Sequence, residues 1–283
     1  MCVEEIARFA KIKGLNVIGT GDFTHPKWLD ELKQKLVPDS DTQLYELKDD
    51  KSQTVRFMIT TEVCTVFQHN NDFKKVHHVV LTPNFETAAQ INDRLSKLGS
   101  LQIDGRPTLN ASASTLVEEV VETSSSNMIF PAHAWTPWFS VFGAFSGFDS
   151  IEDCYQDMTK HIYALETGLS SDPPMNWRVS NLDRFTLVSN SDSHSFWPWR
   201  IGREANVFEL NRMSYDQITE AIRLKDAGRF KFTIETDPAY GKYHWTGHRA
   251  CDVSLSPKEA QKFANICPVC RKQLTKGVEQ RIE

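Results

Sequence analysis

The sequence predicts an α/β fold, either a barrel or a doubly wound sheet, with a small cysteine-bearing module at its C-terminal end. Three observations lead there. Apolar runs of strand length alternate with segments of helical period through residue 236. Side chains able to ligate a metal recur where the strand runs end. Residues 239–283 carry a His/Cys spacing found nowhere upstream, which divides the chain into an expected body, 1–238, and an expected module, 239–283.

The first element is helical: Val3, Ile6, Phe9 and Ala10 share one face, and Gly14 is a C-terminal stop. LNVIG (15–19) is a short buried strand, and Pro26 opens a second helix with Trp28, Leu29, Leu32 and Leu36 on one side. VRFMITTEV (55–63) and VHHVVLTP (76–83) have strand composition. Residues 85–98 are expected to be helical and to end at Gly99, as are 115–123, followed by the strand MIFPAH (128–133). A helix near 150–160 leads into the strand HIYALETG (161–168), and FTLVSNSD (185–192) is the next strand. Ser214 with Gln217 forms a capping-box signature for a helix running to Gly228, and FKFTIET (230–236) is the last strand of the body.

Composition sets bounds on function. The 283 residues, 40% hydrophobic and 24% charged, supply a core that needs no disulfide staples. No apolar run approaches the ~18 residues that span a bilayer. The start, MCVEEIARFAKIKG, has early acidic residues and no apolar stretch of signal-peptide type, so a cytoplasmic protein is expected. Of the six cysteines, Cys2, Cys64 and Cys154 are scattered while Cys251, Cys267 and Cys270 crowd the tail, a pattern of a reducing compartment with a local metal site. Net charge is −5, but residues 240–283 hold eight Lys/Arg and four Asp/Glu, a local +4 that leaves −9 on the body. A nucleic acid bound to that body needs cations to offset its carboxylates.

The strand ends carry the chemistry. Asp22 and His25 follow the first strand, Glu62 closes VRFMITTEV, and VHHVVLTP holds His77 and His78. These two point to opposite faces, so one at most faces the site, and His78 is the expected ligand. His133 follows MIFP, Glu166 closes HIYALE, and Asp192 and His194 follow FTLVSN. In α/β barrels the carboxyl ends of strands form the active site. Carboxylates with imidazoles suit Zn, Mn or Fe(II), and two or three such ions activate water and hold the oxygens of a phosphoryl transfer. The bland readings are that Asp22 caps a helix and Asp192 sits in a turn. Among the neighbours, Trp135 and Trp138 could stack on a base or merely wall the mouth. Arg200 and Arg203 could clamp phosphate, unless Arg203 pairs with Glu204. The tail spacing H-x2-C-x15-C-x2-C, from His248, Cys251, Cys267 and Cys270, matches one structural zinc held in a ribbon-like module.

GTGDFTHP, TTEV, VHHVV, PAHAWTPW, LETGLSSDPPMNW, SNSDSHS, GREANVF and CPVC together resemble the endonuclease Q family, within the PHP (polymerase and histidinol phosphatase) superfamily. The resemblance implies a distorted (β/α)7 PHP barrel with a multi-metal centre of Zn, Mn, Mg or Fe, followed by a zinc module. It implies DNA repair: nicking 5′ to uracil, hypoxanthine, xanthine or an abasic site. It implies metal ligands at Asp22, Glu62, His78, His133, Asp192 and His194, with His25 and Glu166 as further candidates; Asp192, His194 and His133 are the expected catalytic set. PHP proteins open with an H-x-H strand, and none precedes GTGDFTHP here, so a barrel with its first strand missing and impaired cutting is expected. Two other functions fit less of the sequence: a phosphoesterase acting on a small nucleotide, and a DNA-binding protein that does not cut. Damaged DNA is the expected partner and a membrane is not.

Overall fold

The computed structural model describes residues 2–50, 54–103 and 105–283. In chain order the elements are α1 (Val3–Lys13), β1 (Val17–Gly19), α2 (Pro26–Lys35), β2 (Leu36–Asp39), β3 (Leu44–Leu47), β4 (Arg56–His69), β5 (Asp72–Thr82), α3 (Phe85–Leu95), β6 (Thr108–Leu109), α4 (Ala113–Thr123), β7 (Met128–Pro131) and α5 (Ile151–Tyr155). After these come β8 (Ala164–Glu166), α6 (Pro173–Asn176), β9 (Thr186–Val188), β10 (Ala205–Phe208), α7 (Tyr215–Arg223), β11 (Phe230–Ile234), β12 (Thr246–His248), β13 (Val253–Leu255), α8 (Pro257–Lys262) and α9 (Val278–Ile282).

Local chemistry explains the boundaries. Gly14 ends α1 in the left-handed conformation, φ 76°, with its N–H turned back to the last carbonyls of the helix. Side chains of Asn84, Ser112, Ser150 and Ser214 each accept a backbone N–H in the first turn of the helix they precede. Before α8 the box is complete, with Ser256 and Glu259 bonding to each other's backbone N–H.

Of the expected α/β fold with a distorted (β/α)7 barrel, the α/β character is present, but the main sheet is mixed and does not close among the described residues. Its path runs β2-β3-β4-β5-β7, and β1 and β6 also pair with β4, both parallel. The strands β4 and β5 form one long antiparallel hairpin from Ile59↔Thr82 to His69↔Asp72. Its turn is Asn70-Asn71 with φ 49° and 69°; two residues of positive φ give the twist that flanking strands require, and so short a link excludes a parallel pairing. Beyond β7 a single bridge, Ile129↔Ile162, leads toward the parallel pair β8–β9. The strands β10 and β11 pair separately.

The core lies between this sheet and the helices. Val63, Val76 and Val80 on one face of the hairpin pack with Ile91 and Leu95 of α3 and Leu116, Val117 and Val120 of α4. Tyr155, fully buried, belongs to the same cluster. The C-terminal segment is tied into it: Val278 and Ile282 of α9 are members of the main core, and Arg281 donates to the carbonyls of Phe142 and Phe148. No helix among the described residues is long and apolar enough to cross a membrane.

Candidate metal centre

The hairpin fixes which side chains can meet. Residues directly opposite in a sheet share a face, so Cys64↔His77 and Glu62↔Val79 put Glu62 and His77 on one side, and Val63↔His78 puts His78 on the other. His133 arrives from the end of β7. Ligand atoms of Glu62, His77 and His133 lie within 4.8 Å of one another. Glu62 Oε1 is 3.0 Å from His77 Nδ1 and 3.4 Å from His133 Nε2, and the two imidazole nitrogens are 3.1 Å apart. The expected ligand His78 thus faces away from Glu62, and His77 takes the place beside it. His78 is fully buried, with Thr65 Oγ1 at 2.9 Å from one ring nitrogen and Tyr155 Oη at 2.9 Å from the other, so neither nitrogen is open to a metal.

Asp192 and His194 join the cluster across a guanidinium. His194 Nε2 is 3.3 Å from Asp192 Oδ1. Arg106 donates to Glu62 Oε1 at 3.1 Å and to His194 Nε2 at 3.0 Å, lies 2.6 Å from His77 Nδ1, and is 4.0 Å from Asp192 Oδ1. Asp22 lies within the electrostatic reach of Glu62, His194, Arg106 and His25; burial, and then the Glu62 charge, raise its carboxyl above the usual range. Asp22, His133 and Asp192 all have left-handed backbones, with φ of 48°, 30° and 43°. Such conformations cost of order 1–3 kcal/mol each and cluster at functional sites. Gly168 lets the β8 loop close on this site: its φ is +62°, and a Cβ there would lie 3.0 Å from His133 Cβ.

Charge is distributed unevenly. Burial alone would raise the Glu62 carboxyl, but the adjoining His133 and His77 rings and the Arg106 charge hold it well below the usual carboxylate range. Burial lowers His77 and would lower His133, but the Glu62 bond carries His133 above its ordinary value. Glu166 stands outside the ligand trio. Its Oε2 accepts the His133 N–H at 2.7 Å, its Oε1 accepts from Asn190 at 2.7 Å, and burial pushes its carboxyl up to about 7. It fixes the backbone of His133 and stands apart from the Glu62/His77/His133 group.

Two expected substrate contacts have other partners. Trp135 is buried, donates to Asn176 Oδ1 at 2.8 Å and packs at a tilt against Phe142, so it is engaged in the core. Arg203 donates from Nε to Glu204 and from Nη2 to the Ser191 carbonyl. Trp138 is 38% exposed and stacked on Phe145, and Arg200 is exposed, so both remain open to solvent. The sequence offers both His77 and His78, and period-two geometry with a turn at Asn70-Asn71 is what puts His77 on the Glu62 face; Arg106 is a loop arginine that no spacing singles out.

The tail holds the second cluster. Ligand atoms of His248, Cys251, Cys267 and Cys270 lie within 4.8 Å of one another, with Cys270 Sγ 3.2 Å from His248 Nδ1. Cys267 is buried, and the backbone N–H groups of Val269 and Cys270 bond to its sulfur; although burial pushes the other way, these bonds bring its thiol down to about 6, toward the thiolate that metals bind.

No family profile matches the chain. It is 34% identical over 156 residues to an uncharacterized protein of Methanocaldococcus jannaschii, covering 53% of this chain and 19% of that protein. It is 28% identical over 209 residues to the uncharacterized protein YqxK of Bacillus subtilis, covering 73% and 51%. All of it superposes on PfuEndoQ, a lesion-specific endonuclease of Pyrococcus furiosus, with TM-score 0.84 and 33% identity, covering 66% of that chain. It matches equally an endonuclease Q bound to a 27-mer duplex with an abasic lesion at its active site, covering 67% of that chain. The chain belongs to the endonuclease Q family. It spans about two thirds of these two solved structures, about half of YqxK and about a fifth of the Methanocaldococcus jannaschii protein.

Proposed function

We propose that this protein is a metal-dependent DNA repair endonuclease that cuts the phosphodiester 5′ to deaminated bases or abasic sites. The observation that carries the reading is the convergence of Glu62, His77, His133, Asp192 and His194 on one mouth, in a chain whose whole length matches a lesion-specific endonuclease. One carboxylate with two imidazoles in mutual contact fits Zn, Mn or Fe(II). Glu62, His77 and His133 would hold the first ion, and Asp192, His194 and Asp22, with His25 beside them, would hold its neighbours. Bound there, divalent ions supply an activated water and offset the charge of a phosphodiester.

The chain's own residues do the rest. Glu166 holds the His133 backbone, and Thr136 Oγ1, 2.9 Å from His133 Nδ1, fixes that ring. Trp138 and the stacked, exposed pair Trp197/Trp199 offer faces for unpaired bases. The His248/Cys251/Cys267/Cys270 cluster would hold a structural zinc, since all four ligands are protein groups. With the net +4 of residues 240–283, that module is suited to contact a DNA backbone.

The test is a nicking assay on end-labelled duplexes carrying one uracil or one abasic site, with and without Mn or Mg. A metal-dependent cut 5′ to the lesion is expected. Hydrolysis of nucleotide monoesters with intact lesion DNA would replace the reading with a small-substrate phosphoesterase.

A further inference from the structure

Arg106 stands where sequence logic places no cation. Its guanidinium is surrounded by Glu62, His77, Asp192 and His194, and its side chain is only 22% exposed. The backbone around it is fixed. Cys64 N–H, two residues beyond Glu62 on β4, donates to the Pro107 carbonyl at 2.9 Å, and β6 continues the chain beside β4. Gly105, at φ +83°, makes the turn into this anchor. The arginine therefore projects from a pinned position and is not a surface side chain that happens to fold inward.

A guanidinium is always protonated and offers only donors. To take a bond from it, His77 Nδ1 and His194 Nε2 must each turn a lone pair toward Arg106. Those are the lone pairs a metal ion would use, whereas Glu62 Oε1 has two lone pairs and can meet Arg106 and an ion together. One imidazole lone pair cannot serve both, and a divalent ion beside a guanidinium adds like-charge repulsion. We infer that Arg106 is a resident counter-cation of this centre: it holds the ligands in place, competes with the divalent ion for His77 and His194, and so sets the affinity at which the centre loads. The inference rests on reading these residues as a metal centre.

The experiment is calorimetric titration of the full chain with MnCl2, its thiolate cluster already loaded with zinc. It compares wild type, Arg106→Met and Arg106→Lys. Arg106→Met should bind Mn more tightly by about 10- to 100-fold, the range over which groups beside metal ligands tune affinity. Arg106→Lys, which keeps the charge but loses the fork, should fall between. Free guanidinium at millimolar concentration should weaken Mn binding to Arg106→Met, and sodium at the same ionic strength should not. Equal or weaker binding by Arg106→Met than by wild type overturns the competition while leaving the metal centre standing. Absence of Mn binding in both overturns the metal-centre reading, and the inference with it. Melting curves without added Mn give a second check: Arg106→Met should melt lower than wild type, because its carboxylates have lost their counter-charge, and an unchanged melting point counts against the counter-cation role.

Discussion

The two ligand clusters of this protein are built on opposite plans. The thiolate cluster takes all four ligands from residues 248–270, from two knuckles close in sequence, and every ligand is a protein group. The carboxylate–imidazole cluster gathers Glu62 and His77 from within the β4–β5 hairpin, His133 from beyond β7, and Asp192 and His194 from beyond β9; three backbones in and around it are left-handed, and a guanidinium lies among its side chains. The first plan suits a metal that shapes a short segment. The second suits an open centre whose ligands are held by the sheet and whose remaining positions are left for substrate and water. The main sheet and its large core position the second cluster; the tail's own apolar cluster is small, Ala260, Cys267 and Leu274 with a few partly buried neighbours.

The largest effect that would separate the plans is on turnover. Asp192→Ala should lower lesion cutting by ~100-fold or more, above the range for groups that only support ligands, with an unchanged circular dichroism spectrum. Cutting at the wild-type rate by this variant would remove Asp192 from the site. Next in size is the response to zinc removal. Cys267→Ser, or a chelator, should expose residues 246–275 to protease while the body stays resistant, because in small metal modules binding energy is folding energy. A tail that stays protected without its metal would erase the contrast drawn here.

The neighbouring histidines sharpen the comparison within the body. His77→Ala should weaken Mn binding with little loss of stability. His78→Ala should leave Mn binding intact and cost about 1–3 kcal/mol of stability, the usual penalty for stranding buried polar partners, here Thr65 and Tyr155. Denaturant melts and metal titrations on the two variants decide, and the opposite pattern would restore His78 as the ligand.

The smallest effect serves as a control outside both clusters. Burial raises the Glu235 carboxyl from 4.5 to about 7, with Asp172 and Glu204 adding to it against the Thr233 bond. A folded state that holds its proton more tightly than the unfolded chain loses stability as pH climbs from 4.5 through 7. Glu235→Gln should flatten that part of the melting-temperature profile. An unaltered slope would show that the pH response lies elsewhere.

Much of this was legible in the sequence, for identifiable reasons. Each of the seven expected strand runs contains a strand, because short β-branched stretches bounded by glycine and polar turns have few other uses. The tail spacing was readable because paired knuckles are a local signal. What escaped was long-range or depended on orientation. The antiparallel pairing of β4 and β5 was written in Asn70-Asn71, yet alternation of strands and helices elsewhere favours a parallel reading. The β2–β3 hairpin was hidden because Leu36 continues the helical period of α2 before its backbone turns extended. Trp135 and Arg203 have the right chemistry for substrate, and only their neighbours Asn176, Phe142 and Glu204 show that they are engaged in the fold.

The hairpin has a consequence for how such a chain can change. Glu62 and His77 face the centre while Val63 and His78 face the core, on the two sides of one ribbon joined by two asparagines. Its chemistry is thus a matter of parity. Adding or deleting one residue between Glu62 and His77 would exchange the roles of His77 and His78, turning His77 into the apolar interior and bringing His78, flanked by Val76 and Val80, to the mouth. Steps of two would keep every side chain on its proper side. Lineages of this fold are therefore expected to vary the length of this ribbon in even increments, with odd ones surviving only where a bulge restores the count.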